Sequence, residues 1–127
     1  MTSENSGLLN LFSHLSKEEY CYLTTRGRRT GKPHEIEIWF CAYENLLYLL
    51  SGAKEESDWV KNLRAHPEVT VRIGKYIFTA IADSAKNLEE ESKVRPLMAA
   101  KYQKWREGEE LSEWARDALV VRIDVKE

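Results

Sequence analysis

From Tyr20 onward the chain is dominated by short apolar runs and by apolar–polar alternation, and both predict strands. Tyr20 to Thr25 is rich in aromatic and β-branched residues, which suit a pleated surface. "HEIEIWFCAY" alternates, placing Ile36, Ile38, Phe40 and Ala42 on one face and Glu35, Glu37, Trp39 and Cys41 on the other. The second face begins charged and turns apolar halfway, as a strand does when it passes from solvent into a covered region. "LLYLLS", residues 46–51, is apolar throughout and predicts a strand buried on both faces, entered through a tight turn at Glu44-Asn45. "EVTVRI" and "YIFTAIAD" alternate around Gly74-Lys75, a hairpin signal. "ALVVRIDV" alternates last, with Leu119, Val121, Ile123 and Val125 facing inward.

Helical spacing appears in three places. Leu8, Leu9, Leu11, Phe12 and Leu15 predict a short amphipathic helix near the start. In "SDWVKNLRAHP", Ser57 is placed to cap, Asp58 suits the first turn, and Trp59, Val60 and Leu63 share a face. Residues 87–105 read as helix, with a kink or restart expected at Pro96 because proline lacks the backbone donor. Gly108 closes that piece, and Ser112 is placed to cap a short turn carrying Trp114. The sum is six strands joined mostly by hairpins, an antiparallel sheet of the size that closes into a small barrel without exposed edges. The expected fold class is therefore mainly β with peripheral helices. It forms one domain over 1–127: a helical segment at 1–18, barrel strands with one inserted helix at 20–83, helical residues at 87–115 and a last strand at 118–125.

Composition narrows the function. The 127 residues are 43% hydrophobic and 31% charged, with a net charge of −2, so a broadly basic nucleic-acid binder is not expected. Cys21 and Cys41 are too few for a disulfide framework and lack metal-ligand spacing, so two buried free thiols in a reducing compartment are expected. No signal segment and no long apolar run stands out, and the expected location is the cytoplasm. His14, His34 and His66 are isolated, so no metal is expected.

One stretch departs from this balance. "TTRGRRTGKPH", residues 24–34, carries Arg26, Arg28, Arg29, Lys32 and His34 with no acid among them. Glycines that free backbone N–H groups, guanidinium forks and threonine hydroxyls together suit phosphate capture. The spacing is neither the phosphate-binding G-x-x-x-x-G-K-[ST] loop nor a G-x-G-x-x-G fingerprint. A solvated hairpin tip whose charge protects an edge from aggregation remains the alternative reading.

The order T-T-x-G-R-x-T-G-K-P, "LLYLLSG", D-W-V-x-N-L-x-x-x-P-x-V and "AAKYQKW" resembles the deazaflavin-dependent nitroreductase family over roughly residues 20–125. That family belongs to the flavin- and deazaflavin-binding split β-barrels related to the pyridoxamine 5′-phosphate oxidases. The resemblance implies a six-stranded antiparallel split barrel. It implies that the loop from Arg28 through Arg29, Thr30, Gly31 and Lys32 to His34 holds the coenzyme's phosphate, with His34 standing where many relatives have arginine. Ile38, Trp39 and Phe40 would lie along the ring system. Ser51 and Gly52 would approach the ring, with Trp59 and Asn62 as buttresses. Where many relatives carry a run of glycines, this chain has "SGAKEESDWV".

The reaction so implied is hydride transfer from reduced deazaflavin, coenzyme F-420, to a quinone, a nitroaromatic or an activated double bond. The coenzyme carries the hard chemistry and the protein supplies positioning. Tyr102 is the candidate for substrate contact or proton donation, with Leu97, Met98 and Trp105 walling its pocket. FMN is the alternative coenzyme for the same loop, and a non-enzymatic barrel holding flavin, haem or a phosphorylated ligand is a further alternative. The expected partner is a small-molecule acceptor, with no nucleic acid and no membrane span. A homodimer is compatible with the half-apolar face at Trp39 and Cys41.

Overall fold

The computed structural model describes residues 3–126, and side chains from residue 7 onward. Residues 1 and 2 of the expected first helical segment lie outside it, as does residue 127. The chain begins with helix α1 (Ser3–Leu15), then strands β1 (Cys21–Arg26), β2 (Pro33–Ile38), β3 (Cys41–Tyr43) and β4 (Leu46–Ser51). A 3-10 turn (Lys54–Glu56) leads into helix α2 (Asp58–Ala65), strands β5 (Glu68–Ile73) and β6 (Tyr76–Ser84), helices α3 (Leu88–Gln103) and α4 (Glu113–Asp117), and strand β7 (Leu119–Val125).

All pairings are antiparallel, in the order β2-β1-β5-β6-β7-β4-β3. The two edge strands are therefore consecutive in the chain. Ile38 ends β2 and Cys41 begins β3, and three Cα steps span at most about 11 Å. The sheet must curl until its edges meet at Trp39-Phe40, which gives an antiparallel half-barrel with four helices around it. Among the described residues β2 and β3 share no ladder, so a chain connection closes the curl where a hydrogen-bonded seam would otherwise lie.

This accounts for the count of seven strands where six were expected. "HEIEIWFCAY" divides at Trp39-Phe40 because β2 pairs with β1 through Cys21↔Ile38 and β3 pairs with β4 through Cys41↔Tyr48. The alternation continues across the break. Phe40 turns into the barrel with Leu23, Leu47, Leu49, Val71, Ile73 and Ile123, and Trp39 and Cys41 turn outward toward α3. Phe12 and Leu15 of α1 plug the same interior. The run at residues 46–51 is apolar because β4 is covered twice. Leu47 and Leu49 face the barrel, and Tyr48 and Leu50 meet Val94 and Met98 of α3.

Helix α3 continues through Pro96 as a single element, so the helix does not restart there. Proline removes one backbone bond, a cost of about 3 kcal/mol. Val94 and Met98, both fully buried on either side of it, supply packing that offsets the loss. Asn87 caps the helix by accepting from the Glu90 N–H at 2.8 Å. Arg95 ties α3 to the α4–β7 junction, donating to the Ala118 carbonyl at 2.7 Å. Ser112 caps α4 as expected, whereas the Ser57 hydroxyl makes no cap bond and pairs with the Ser51 hydroxyl at 2.7 Å.

Candidate functional site

The basic hairpin between β1 and β2 is closed by its own backbone. Gly27 N–H donates to the Lys32 carbonyl and Gly31 N–H to the Gly27 carbonyl, both at 2.8 Å, and Lys32 N–H donates to Thr30 Oγ1 at 3.2 Å. Gly31 has φ +74°, a region that disfavours side chains, and a Cβ at Gly27 would lie 2.8 Å from His34 Nε2 and 2.9 Å from Thr30 Oγ1. Both glycines are needed for the shape of the turn. Their amides were expected to reach a ligand, but closing the turn consumes them.

Asn62 of α2, 5% exposed, braces the hairpin from below. Its Oδ1 accepts from Arg28 N–H at 3.1 Å and from Arg28 Nη1 at 2.8 Å, and its Nδ2 donates to Thr25 Oγ1 at 3.2 Å. Arg28 also reaches Asp58 at 3.2 Å. The Arg28 side chain is thus spent on holding the loop. Among the described residues neither Arg29 nor Lys32 has a carboxylate within 4.0 Å.

Between this hairpin, β2 and α2 lies an open cleft of about 630 Å³. It brings together Arg28, Arg29, Thr30, His34, Trp59 and Asn62, with Ile36 adding to the apolar wall. Two acids also line it, Glu35 and Asp58. Asp58 is matched by Arg28, and Glu35 by Arg72 at 3.9 Å. Gly31 lines a smaller neighbouring hollow of about 260 Å³, and the exposed Lys32 side chain lines neither.

The remaining expected site residues gather at the other end of β2. Ile38 and Trp39 line a hollow of about 370 Å³ with Tyr20, Leu50 and Trp114. Trp39 stacks on Tyr102 at 4.3 Å with a 5° interplanar angle, and meets Trp114 edge-on at 5.5 Å. Phe40 does not share that surface: its ring is fully buried in the barrel. Ser51 is buried too, its hydroxyl donating to the Lys54 carbonyl at 2.9 Å, so it fastens the following loop. Gly52 lies beside Trp114, where a Cβ would stand 3.4 Å from the indole.

Tyr102 lines a cavity of about 520 Å³ with Trp39 and Lys101. Its hydroxyl accepts from Phe40 N–H at 3.0 Å and has the Glu19 and Phe40 carbonyls as acceptors at 2.8 and 2.9 Å. Burial drives its acidity below that of an ordinary phenol. This hydroxyl therefore clasps the β2–β3 connection. Met98 is fully buried in the outer core, and Trp105 lines a separate groove beside Pro96, so neither walls the Tyr102 cavity.

Two residues that sequence reasoning passed over complete this end. Trp114 was read only as part of a short turn. Lys101 donates from Nζ to the Phe40 carbonyl at 2.9 Å and sits 3.7 Å from the centre of the Phe40 ring. Burial lowers its pKa from 10.5 to about 8. The "AAKYQKW" stretch contained it, but a partner 61 residues away leaves no local mark. Cys21 and Cys41 are free and buried, and burial pushes both thiols from 9.0 up to about 12, so neither is a nucleophile at neutral pH. Among the described residues no cluster of three potential metal ligands occurs, and no helix is long and apolar enough to cross a membrane.

A half-barrel carrying a cationic hairpin over an open cleft, with an indole and an isoleucine as apolar wall, has the form of a coenzyme-binding split barrel. The chain belongs to the F420H(2)-dependent quinone reductase family, whose model matches residues 2–123. Solved structures of similar fold include a conserved hypothetical protein from Mycobacterium tuberculosis, with TM-score 0.72, 19% identity, 100% of this chain and 82% of that one. An F420-H2 dependent reductase (FDR-A) matches with TM-score 0.64, 18% identity, 84% of this chain and 94% of that one. HutZ, the haem storage protein of Vibrio cholerae, matches with TM-score 0.68, 16% identity, 93% of this chain and 89% of that one. At these identities the likeness concerns the fold, and the coenzyme follows from the family. It is the deazaflavin F-420, and the chain is a deazaflavin-dependent reductase.

The donor set fits such a coenzyme. Arg29, a cation without a carboxylate partner among the described residues, and the Thr30 hydroxyl line the cleft and suit a phosphate. The lining acids have their own cations, and the Trp59–Ile36 wall suits an apolar ring. The cleft volume lies within the range of about 300–1,000 Å³ common to cofactor sites.

Proposed function

We propose that this protein reduces quinones, with the coenzyme's phosphate end held by Arg29 and Thr30 and its ring directed along β2 toward Trp39. One observation carries the reading: Arg29, Thr30 and His34 line the same 630 Å³ cleft as Trp59 and Ile36, and Asn62 braces that arrangement from within the core. Lys32, at the exposed tip, adds positive potential that favours an approaching anion. His34 packs over Gly27 and so bears on the hairpin's shape. When bound, the coenzyme supplies a hydride. The protein's part is to grip the phosphate, to lead the coenzyme past Trp59 and Ile36 with its flat ring toward Trp39, and to present Trp39 and its neighbours to the acceptor. Tyr102 serves by clasping Phe40 and stacking on Trp39, which sets the indole's orientation.

Equilibrium titration with F-420, followed by its fluorescence, tests this. Arg29→Ala is expected to weaken binding at least about tenfold, or about 1.4 kcal/mol, with thermal stability unchanged. Reduced coenzyme should be oxidised by a naphthoquinone in the presence of the wild-type protein. Unchanged affinity in Arg29→Ala would remove the phosphate assignment, and tight binding without quinone turnover would remove the acceptor.

A further inference from the structure

The 520 Å³ cavity lined by the stacked Trp39 and Tyr102 shares no residue with the 630 Å³ cleft at the hairpin. Lys17, Glu19, Tyr20, Trp39, Lys101 and Tyr102 line it. It shares Tyr20 and Trp39 with the hollow at the end of β2, so a ring placed there sits next to the strand along which the coenzyme is proposed to lie. Lys101 is half-buried, and among the described residues no carboxylate lies within 4.0 Å of it. An ammonium group has three N–H donors. The Phe40 carbonyl takes one, and the Phe40 ring covers another side. A half-buried cation without a counter-ion costs stability, and this one lines an aromatic-walled cavity. The Tyr102 hydroxyl beside it is already committed to backbone groups.

We propose that this cavity receives the acceptor ring and that Lys101 Nζ hydrogen-bonds the acceptor oxygen and supplies the proton that completes its reduction. The proposal rests on the quinone-reductase reading above. A quinone becomes a hydroquinone by gaining two electrons and two protons. The acceptor takes an electron pair and one hydrogen as hydride from the reduced coenzyme, which is oxidised. It takes the second proton from Lys101, where an N–H bond breaks as an O–H bond forms. The neutral amine regains its proton from water through the open cavity. A pKa of about 8 keeps the lysine charged at neutral pH yet makes it a far better acid than an ordinary lysine.

Other titratable groups face Lys101 from every side. Lys17, Glu18, Glu19 and Tyr20 lie on the segment after α1, Cys21 on β1, Cys41 on β3, and Tyr102 on its own helix. The two thiols stay protonated to about pH 12 and give the ammonium no counter-charge below that. Glu18 favours the charged form only through space.

In coenzyme-free wild-type protein, labelling of Lys101 by trinitrobenzenesulfonate should show a midpoint near pH 8 and be slowed by 2-naphthol, a non-reducible ring of acceptor shape. Lys101→Met should weaken 2-naphthol binding at least about fivefold, the loss of a hydrogen bond from a charged donor. With coenzyme and a naphthoquinone, wild-type kcat should fall as pH rises through about 8. Lys101→Met should lose roughly 100-fold in kcat near neutral pH and that pH limb, with coenzyme affinity unchanged. Lys101→Arg should retain 2-naphthol binding while the limb moves out of range. A labelling midpoint above about pH 10, equal 2-naphthol binding in Lys101→Met, or wild-type kcat in that variant would each overturn the assignment. If the wild type turns over no quinone, the quinone-reductase reading falls, and the coenzyme-free measurements still decide whether Lys101 holds a ring in this cavity.

Discussion

The hairpin at residues 27–32 and the aromatic cluster at Trp39 stand at opposite ends of the same strand, and they are built in opposite ways. The hairpin presents exposed cations and satisfies its backbone internally, with a single buried amide, Asn62, fastening it to α2. The Trp39 end relies on ring stacking and on long-range bonds from α3 to the Phe40 backbone. Charge and apolar packing are therefore separated along β2. A ligand that reaches both ends would lie along the strand, its anionic end at the hairpin. Mutations should separate the two ends in the same way, binding energy being lost at the hairpin and folding energy at the seam.

The largest test is Trp39→Ala. It removes the stack on Tyr102 and the edge contact with Trp114, and should destabilise the protein by about 3 kcal/mol in urea unfolding. Asn62→Ala comes next, because it strands the Arg28 amide and Thr25 hydroxyl in a buried place. It is expected to cost about 2 kcal/mol and also to weaken F-420 binding, because the same brace serves the fold and the hairpin. Affinity unchanged in Asn62→Ala would mean that the hairpin keeps its shape without a brace. Asp58→Asn removes only an exposed partner of Arg28, whose carboxylate is 87% exposed, and should change stability by no more than about 0.5 kcal/mol.

The smallest effect is nil at neutral pH and appears only in alkali. The folded thiols Cys21 and Cys41 keep their protons to about pH 12, whereas the unfolded chain releases them near 9.0. Above 9.0 the unfolded state binds fewer protons, so stability should fall as pH climbs toward 12. The Cys21→Ala, Cys41→Ala double variant should lose that decline. Lys101 acts in the opposite sense. Its folded pKa of about 8 lies below 10.5, so stability from this group rises across that interval, and Lys101→Met isolates its share.

Much of this was legible in residue order, and the failures have common causes. Alternation in "HEIEIWFCAY" assigned each side chain to its correct face, yet hid the division into β2 and β3, because the period runs unbroken through Trp39-Phe40. Closing a curled sheet depends on strands far apart in sequence and leaves no local signature. The apolar run at 46–51 was readable because burial on both faces imposes it directly. The hairpin's cations were visible by composition, but not the diversion of Arg28 to a residue 34 positions away. Local chemistry at Pro96 allowed a restart of the helix, and with Val94 and Met98 buried on either side the helix runs on without one. Lys101 and Trp114 were missed because their importance lies in what α3 and α4 are packed against.

The clasp between Phe40 and Tyr102 joins positions 62 apart, and this bears on how the chain comes off the ribosome. The β1–β2 ladder pairs residues close in sequence and forms early, whereas the link across Trp39-Phe40 cannot be secured until the end of α3 has emerged. Strand β7, which joins β6 to β4, follows still later, so until then β2-β1-β5-β6 and β4-β3 are separate pieces whose unpaired edges invite pairing with neighbouring chains. A stall or truncation just before Tyr102 would leave the hairpin in place on a sheet still open to its neighbours.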